Sequence, residues 1–451
     1  MKNTICMALG ATIFATLSCT GPEAAVDLQA EVPGVFKHGV PQTARLKPPS
    51  WKSFRDPEVL RLVTQVRTSN KDLKAASAQA REFLALIRKA HSASAVTVDG
   101  FGNVSADLEN STRTRDFSGG LSAAFEIDLW GRLRKATEAA ASRAWASTAA
   151  RDNLQLSLEA QAVSTYYTIR SLDSQIQSVN EAIARLQEIG RIANREIEAG
   201  LLGAFEKSRV DSAISTLKAD RATLQRDRNR FENALAVLLG TNPSLYTAAK
   251  KGLTNAPPSI ATYLPSSLLE RRPDIAEAKA LLEANQADIG VAWGDFFPRL
   301  NLFALIGLAS PSLSQFFDGS EATSVGGDIL GPILDGGERR ANYDAAIARR
   351  DQGLAILEGT ILRAFEDTEN VLSDTQVLKA EYNARRQAVA NARETIKGVR
   401  RRHRDGIDGL FQLVSIELSL NVQERLLHEA HGQQFVAAAD VVRALGGDWR
   451  R

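Results

Sequence analysis

The chain has 451 residues, of which 55 are lysine or arginine and 53 are aspartate or glutamate. This balance leaves a formal net charge of +2 and none of the basic excess typical of nucleic-acid-binding proteins, so we expect no nucleic-acid partner. Aromatic residues make up only 6% of the chain and alanine is frequent, which favours long helices over β-sandwiches.

Residues 1–18 are predicted to be an export signal, because the apolar stretch Ile5–Leu17 follows a lysine near the amino terminus. The stretch is too short to span a bilayer as a helix. Cys19 follows and resembles the acylated cysteine of a bacterial lipobox, although Thr16 stands where that motif usually has leucine. Ordinary cleavage nearby, leaving Cys19 as a free thiol, is the alternative. With Thr20 in place of an aspartate retention signal, a lipidated Cys19 would anchor the chain to outer-membrane lipid.

Residues 19–50 are rich in proline, alanine and polar residues, and we predict an extended, lipid-anchored N-terminal segment there. The other cysteine, Cys6, leaves with the signal, as do both methionines. We therefore expect no disulfide and no sulfur-ligated metal in the mature chain. A helix is predicted from about Pro57 to Ala90.

Two-residue alternation then indicates a β-hairpin at about residues 96–129. Apolar residues and glycine occupy every second position from Val96 to Leu108, and again from Phe117 to Leu129 after a polar turn. The length and the one apolar face suit a membrane hairpin with roughly 9–11 residues per strand. An ordinary soluble hairpin is the alternative, but a second hairpin at about 300–334 favours the membrane interpretation.

The pattern becomes helical after Gly131 and stays helical to about Ala199. Apolar residues recur there in a heptad seam, namely Ile169, Leu172, Ile176, Val179, Ile183 and Leu186. At 1.5 Å per residue, roughly 68 residues give a helix of about 100 Å. Gly200–Gly203 interrupts this helix, a second helix is predicted to return to about Gly240, and a linker follows at 251–265.

The same plan recurs 206 residues later, with a helix at about 274–296, a hairpin at about 300–334 and coiled-coil helices at about 337–446. Four glycines keep this offset: Gly131, Gly200, Gly203 and Gly240 recur as Gly337, Gly406, Gly409 and Gly446. So long a period indicates duplication of a whole domain. It gives a first repeat at 51–250 and a second at 266–451.

Each chain would supply four membrane strands, whereas the smallest closed membrane sheets have about eight. Unpaired strand edges are not viable in lipid. We therefore expect an oligomer, and three copies would provide twelve strands.

Five segments are informative together: Trp51–Pro57, Phe125–Arg132, Leu268–Ile275, Pro332–Gly337 and Ala444–Trp449. In these segments the chain resembles the TolC-like outer-membrane factors, and in particular the lipidated multidrug-efflux branch of the OprM/NodT type. The resemblance runs along nearly the whole mature chain. Its most specific part is the sequence Leu-Leu-Glu-Arg-Arg-Pro-Asp-Ile at Leu268–Ile275.

The resemblance implies a mostly α fold with membrane β-structure, built as an internally duplicated protomer of long coiled-coil helices and four strands. It implies a homotrimer whose twelve strands form an outer-membrane β-barrel, continued by an α-helical tunnel in the periplasm. Neither a cofactor nor a metal is implied.

The implied function is a passive exit duct for small toxic molecules or drugs. An inner-membrane pump of the resistance–nodulation–division type and a periplasmic membrane-fusion adaptor would deliver them. The outer channel of a type I protein secretion system has the same body and stays an alternative. A periplasm-spanning scaffold without a pore is a third possibility. Efflux of metal ions is a fourth, although the mature chain lacks the row of sulfur ligands that soft metals prefer.

The resemblance also assigns candidate sites. Gly200, Leu201, Gly406 and Ile407 match the turns at which the family docks its adaptor, although the last position of the turn departs from the family pattern in both repeats. Near the second turn, Arg400–Arg404 is predicted to be a solvated helix face, a source of ion pairs that hold the tip closed, or a contact for acidic groups on a partner.

Phe411, Gln412 and Ser415 match the family's inner constriction, where acidic rings are frequent. All three are uncharged here, so the resemblance implies a gate of apolar and polar side chains. The alternative is that Phe411 belongs to the core of the coiled coil.

No catalytic motif is found. His428 and His431 lie three residues apart, whereas two zinc-binding histidines on one helix face require four, so exposed surface histidines are expected. No P-loop, dinucleotide-binding glycine motif or nucleophile elbow is present, and we expect no enzymatic activity.

Overall fold

The computed structural model describes residues 33–38, 50–109, 112–258, 268–318 and 320–449. They fall into two compact units. The first unit contains Gln79–Thr148 and Glu277–Glu358, and the second contains the described parts of Ala30–Ala78, Ala149–Ala276 and Gly359–Arg451. Both units thus draw on both halves of the chain.

The first unit contains a four-stranded antiparallel sheet. Its strands are β1 (Thr97–Glu109), β2 (Thr112–Ile127), β3 (Arg299–Ser310) and β4 (Ser320–Leu330), in the order β1-β2-β3-β4. Strand β2 pairs with β3, so the two hairpins form one continuous sheet. The outer strands of this sheet are therefore β1 and β4.

Two strand boundaries differ from the predicted ones. Strand β2 begins at Thr112 rather than at Phe117, because the polar residues that were assigned to a turn continue the ladder opposite β1. Strand β4 ends at Leu330 rather than at about Leu334. Pro332 lies just beyond its end, and proline has no N–H group to donate to a ladder.

Most of the described chain is helical. The helices are α1 (Pro57–Ser69), α2 (Lys71–Ser92), α3 (Arg132–Glu198), α4 (Ala204–Leu238), α5 (Leu268–Arg271), α6 (Pro273–Gly294), α7 (Glu338–Arg404) and α8 (Leu410–Ala444). Short 3-10 helices lie at Trp51–Phe54, Pro243–Leu245 and Leu313–Asp318. None of the helices within the described ranges has the length and apolarity needed to cross a bilayer.

The duplication is visible in the helices. Helices α3 and α7 have 67 residues each and α4 and α8 have 35 each, and both pairs begin and end at the offset of 206. No proline occurs between Gly131 and Thr241, so nothing removes a backbone donor inside α3 or α4.

A carboxylate caps the amino-terminal end of each of the two longest helices. Asp128 accepts hydrogen bonds from the backbone N–H groups of Leu133 and Arg134, at 3.1 and 2.8 Å. Asp335 accepts from the backbone N–H of Arg339 at 3.1 Å and from its guanidinium at 2.6 Å. These bonds, the backbone one first, lower the pKa of Asp335 to about 2, since each favours the charged carboxylate.

The prediction of a single helix from 57 to 90 is wrong in one respect. The helix is interrupted at Asn70, which separates α1 from α2. The side-chain oxygen of Asn70 accepts from the backbone N–H of Leu73 at 2.9 Å, which is the action of a helix N-cap. Its amide group donates to the carbonyl of Leu238 at 2.9 Å. The break therefore ties the beginning of α2 to the end of α4.

The second unit is held together by an apolar core along the long helices. The heptad seam of α3 is buried at Leu172, Val179, Ile183 and Leu186. These side chains pack with apolar residues of the other three long helices, including Val210 and Leu217 of α4, Val389 and Ile396 of α7, and Leu410 and Leu413 of α8. The seam is shared by all four long helices.

The Glu-Arg-Arg-Pro-Asp segment has a structural role in this unit. Arg272 is buried and donates to Asp274 at 2.7 Å. It also donates to the carbonyl of Ala444 at 3.1 Å and to Asp367 at 3.4 Å. The most specific sequence signature thus joins the start of α6 to α7 and to the end of α8.

Candidate functional site

The candidate site is the helix tip, which we define as residues 195–209 and 400–415. Its first turn follows α3, where Gly200 has a φ of 71°. The backbone N–H of Leu201 donates to the carbonyl of Glu196 at 2.8 Å, and that of Gly200 donates to Ile197 at 3.0 Å. A residue with a side chain rarely adopts this left-handed conformation, which explains the glycine at the end of the helix.

The second turn has the same geometry. Gly406 also has a φ of 71°, and the N–H of Ile407 donates to the carbonyl of Arg402 at 2.8 Å. Nothing lies within 4 Å of the position that a side chain on Gly406 would occupy. The glycine is therefore required by the backbone conformation and not by crowding.

Both turns present apolar side chains to solvent. Leu201 is 78% exposed and its repeat counterpart Ile407 is 64% exposed. Phe205 and its counterpart Phe411 are 64% and 48% exposed. Solvated apolar side chains clustered at one end of a structure are typical of a surface that another molecule covers.

Ion pairs organise the second turn. Arg402 donates twice to the carboxylate of Asp408, at 2.8 and 3.0 Å, and these bonds raise the pKa of Arg402. The Nδ1 atom of His403 lies 3.0 Å from the carbonyl of Asp408. Its Nε2 atom lies 3.5 Å from Glu196 at the end of α3, which places the two turns side by side.

The arginine cluster is divided between ion pairs and solvent. Arg400 pairs with Glu417 and Arg402 pairs with Asp408, whereas Arg401 and Arg404 are exposed to solvent.

The candidate gate residues lie on the first turns of α8. Phe411 is not part of the core of its own protomer, because Leu410, Leu413 and Val414 are the buried residues there. The guanidinium carbon of Arg209 lies 3.7 Å from the centre of the Phe411 ring, in a cation–π contact between α4 and α8. Gln412 is exposed and Ser415 is half-buried.

Above the tip lies a buried charge network that the sequence analysis missed. Glu417 is fully buried and accepts from Arg185 at 2.8 Å and from Arg400. Glu424, also buried, accepts from Arg185 at 3.2 Å and from Arg393 at 2.9 Å. The sequence did contain a signal for this network. Glu417 and Glu424 follow the buried Leu410 at successive intervals of seven residues, so both occupy the apolar seam of α8.

The two histidines of α8 are not the exposed residues that were predicted. His428 and His431 are half-buried, and burial lowers the pKa of both. His431 lies 3.0 Å from the carbonyl of Asn255 and packs against Phe435. In the described ranges no group of three or more potential ligands is arranged to hold a metal ion. Cys19 lies outside the described residues.

Comparison with known proteins agrees with this architecture. The sequence model of the outer membrane efflux protein family matches residues 62–241 and again residues 264–447. Outer membrane protein OprJ of Pseudomonas aeruginosa is 30% identical, over 90% of this chain and 88% of its own length. The probable efflux pump outer membrane protein TtgC of Pseudomonas putida is 29% identical, over 88% of this chain and 85% of its own.

The structure of the outer-membrane channel OprN superposes with a TM-score of 0.86 at 26% identity, covering 96% of this chain and all of that one. Two family matches, one per repeat, account for most of the chain. The chain therefore belongs to the outer membrane efflux protein family, and it is an outer-membrane efflux channel that extends into the periplasm.

Proposed function

We propose that this channel works as a homotrimer and as the passive exit duct of a tripartite efflux system. The observation that carries the proposal is the open four-stranded sheet, whose outer strands β1 and β4 pair on one side only among the described residues. Free backbone N–H and C=O groups along such edges are costly in lipid. Pairing β4 of one copy with β1 of the next satisfies both edges, and three copies give a closed twelve-stranded sheet.

The adaptor docks at the helix tip in this proposal. Leu201 and Ile407 protrude from turns of equal geometry, so each copy offers the adaptor two similar exposed apolar side chains, next to Gly200 and Gly406. Three copies around one axis would present six such side chains. A helical partner with an apolar stripe suits this arrangement, because exposed apolar side chains gain free energy when they are removed from water.

The resting gate is formed by Phe411, Gln412 and Ser415 in this proposal. Phe411 is free of the protomer core but held by Arg209, so its ring has a defined position from which it can narrow the lumen. An apolar constriction blocks ions by excluding water. Gln412 and Ser415 add dipoles but no charge, so the gate has no ring of carboxylates.

Cys19 carries a lipid in this proposal, which anchors the amino-terminal segment in the outer membrane. The sequence around Cys19 supports this role. The described residues 33–38 also support it, since the backbone N–H groups of Lys37 and His38 donate to Glu369 at 2.6 and 3.0 Å. Phe36 is buried in a cluster that includes Val371 and Leu445. The segment that leads from the anchor is thus attached to α7 and α8.

Small toxic molecules or drugs are the proposed cargo, delivered by a resistance–nodulation–division pump through the adaptor. Support comes from TtgC, which by its name is a probable efflux pump outer membrane protein. A type I protein secretion system is the alternative, and it predicts loss of a secreted protein rather than drug sensitivity when the channel is deleted.

Deleting the gene should sensitise the cell to small toxic compounds, and the wild-type chain should restore resistance. Unchanged susceptibility together with loss of a secreted protein would favour the type I alternative.

Native mass spectrometry of the detergent-solubilised channel should give three times the mass of one mature protomer. A mass other than that of a trimer would exclude the closed twelve-stranded sheet.

Ile407→Asp and Leu201→Asp should each reduce cross-linking to the adaptor by about tenfold or more, because a carboxylate would have to be desolvated in an apolar contact. Drug resistance should fall with it, while trimer assembly is unchanged. Leu245→Asp is the matched control, since Leu245 is 82% exposed but lies outside the tip. Equal cross-linking for the tip variants and the control would exclude docking at these turns.

The neutral gate predicts a specific response in single-channel recordings. Micromolar hexamminecobalt(III), added from the periplasmic side, should leave the wild-type current nearly unchanged, because no narrow ring of carboxylates binds the trivalent cation. Gln412→Asp should introduce block, and Phe411→Ala should raise the resting conductance. Strong block of the wild type that disappears in Asp408→Asn would instead place the gate at the tip turn.

Replacing the lipidated residue should remove the acyl mass. In intact-protein mass spectrometry the wild type should carry the acyl group and Cys19→Ala should not. Export should be weakened rather than abolished, because the sheet itself inserts into the membrane. A wild-type protein without an acyl group would contradict the anchor.

A further inference from the structure

A cavity of about 470 Å³ lies in the second unit, away from the helix tip. The beginning of α1, the middle of α3 and the segment 246–255 form its walls. Its volume is within the range of small-molecule sites, which is about 300–1,000 Å³. Neither the proposed gate nor the proposed docking turns contribute to it.

The carboxylates of the cavity are already engaged within the protein. Asp56 accepts from the backbone N–H of Glu58 at 3.0 Å and from the hydroxyl of Tyr166 at 3.2 Å. Glu58 accepts from the guanidinium of Arg61 at 2.9 Å. Both acidic side chains are therefore committed to the start of α1.

The basic side chains are not matched in the same way. Arg55, Arg61, Arg170 and Lys251 all line the cavity, against the two carboxylates Asp56 and Glu58. Behind the wall, Asp173 and Glu232 accept from the backbone N–H groups of Lys251 and Ala248 and share Arg228, so one positive charge is in excess. In the described part of the chain, Arg55, Arg170 and Lys251 form no ion pair.

Aromatic side chains lie beside these charges. The guanidinium carbon of Arg170 lies 5.4 Å from the centre of the Tyr166 ring, and Tyr246 adds a second ring to the wall. The cavity thus combines surplus positive charge with aromatic surface.

We propose that this cavity binds a phosphate group carried by a small molecule. A phosphomonoester has close to two negative charges at neutral pH, which suits a cavity lined by more basic than acidic side chains. Its oxygens accept readily from the forked donors of arginine, and Arg55, Arg61 and Arg170 all line the cavity. The aromatic wall suits the body of the molecule. Both a free phosphomonoester and the headgroup of a phospholipid carry this group.

Binding is tested with the full-length channel in detergent, by calorimetric titration and by thermal unfolding at constant ionic strength set with chloride. The probes are inorganic phosphate, glycerol 3-phosphate and a short-chain phosphatidic acid below its micelle concentration. We expect saturable binding and a higher unfolding temperature, since a ligand that binds the folded state stabilises it.

Lys251→Gln and Arg170→Gln should each weaken binding by about tenfold or more, because each removes one charged donor to the phosphate. Lys250→Gln is the matched control: it removes the same charge from the adjacent residue, which does not line the cavity. Lys251 is exposed, so its replacement leaves folding intact even if Arg170→Gln does not.

The probes separate the two sources of phosphate. Tighter binding of glycerol 3-phosphate than of phosphatidic acid assigns the site to a free phosphomonoester, and the reverse assigns it to a lipid headgroup. The proposal is overturned if none of the probes binds at about 10 mM, where millimolar sites are occupied. It is also overturned if Lys251→Gln and Lys250→Gln bind equally well.

Discussion

Burial of one apolar stripe on each of α3, α4, α7 and α8 is the interaction on which the rest of the structure depends. Helices of this length gain little stability from intrinsic propensity and most of it from tertiary packing. The shared core runs from Leu172 to Ala193 on α3 and meets the last turns of α7 and the first part of α4 and of α8. The turns at the tip, the candidate gate and the proposed docking surface all have defined positions because this core fixes the helices that carry them.

Charge buried in the same seam restricts how the helices can be aligned. Glu417 and Glu424 replace apolar residues of α8 and are matched by Arg185 of α3 and by Arg393 and Arg400 of α7. Sliding α8 by one heptad would leave one of the glutamates without its arginines, and an unpaired buried charge is costly. The network therefore selects one register among several that apolar packing alone would tolerate, much as single polar residues do in coiled coils.

Duplication kept the backbone of the tip and changed its side chains. The left-handed glycine is present in both turns, because glycine adopts that conformation at no steric cost. Yet Glu196 of the first repeat corresponds to Arg402 of the second, and Arg209 corresponds to Ser415. Arg209 therefore covers Phe411, whereas the equivalent contact on Phe205 has no arginine to make it. The two turns are alike in backbone conformation but differ in charge.

The sequence by itself determined the elements and the family. Glycine breaks, the absence of proline and the heptad seam located the long helices to within about two residues, and alternation located the strands, because these signals are local. Tertiary structure alone decided the pairing of β2 with β3, the break at Asn70, the half-burial of His428 and the partners of Glu417. Each depends on residues far apart in the chain, such as Arg185 and Glu417, and no local pattern records which distant groups meet.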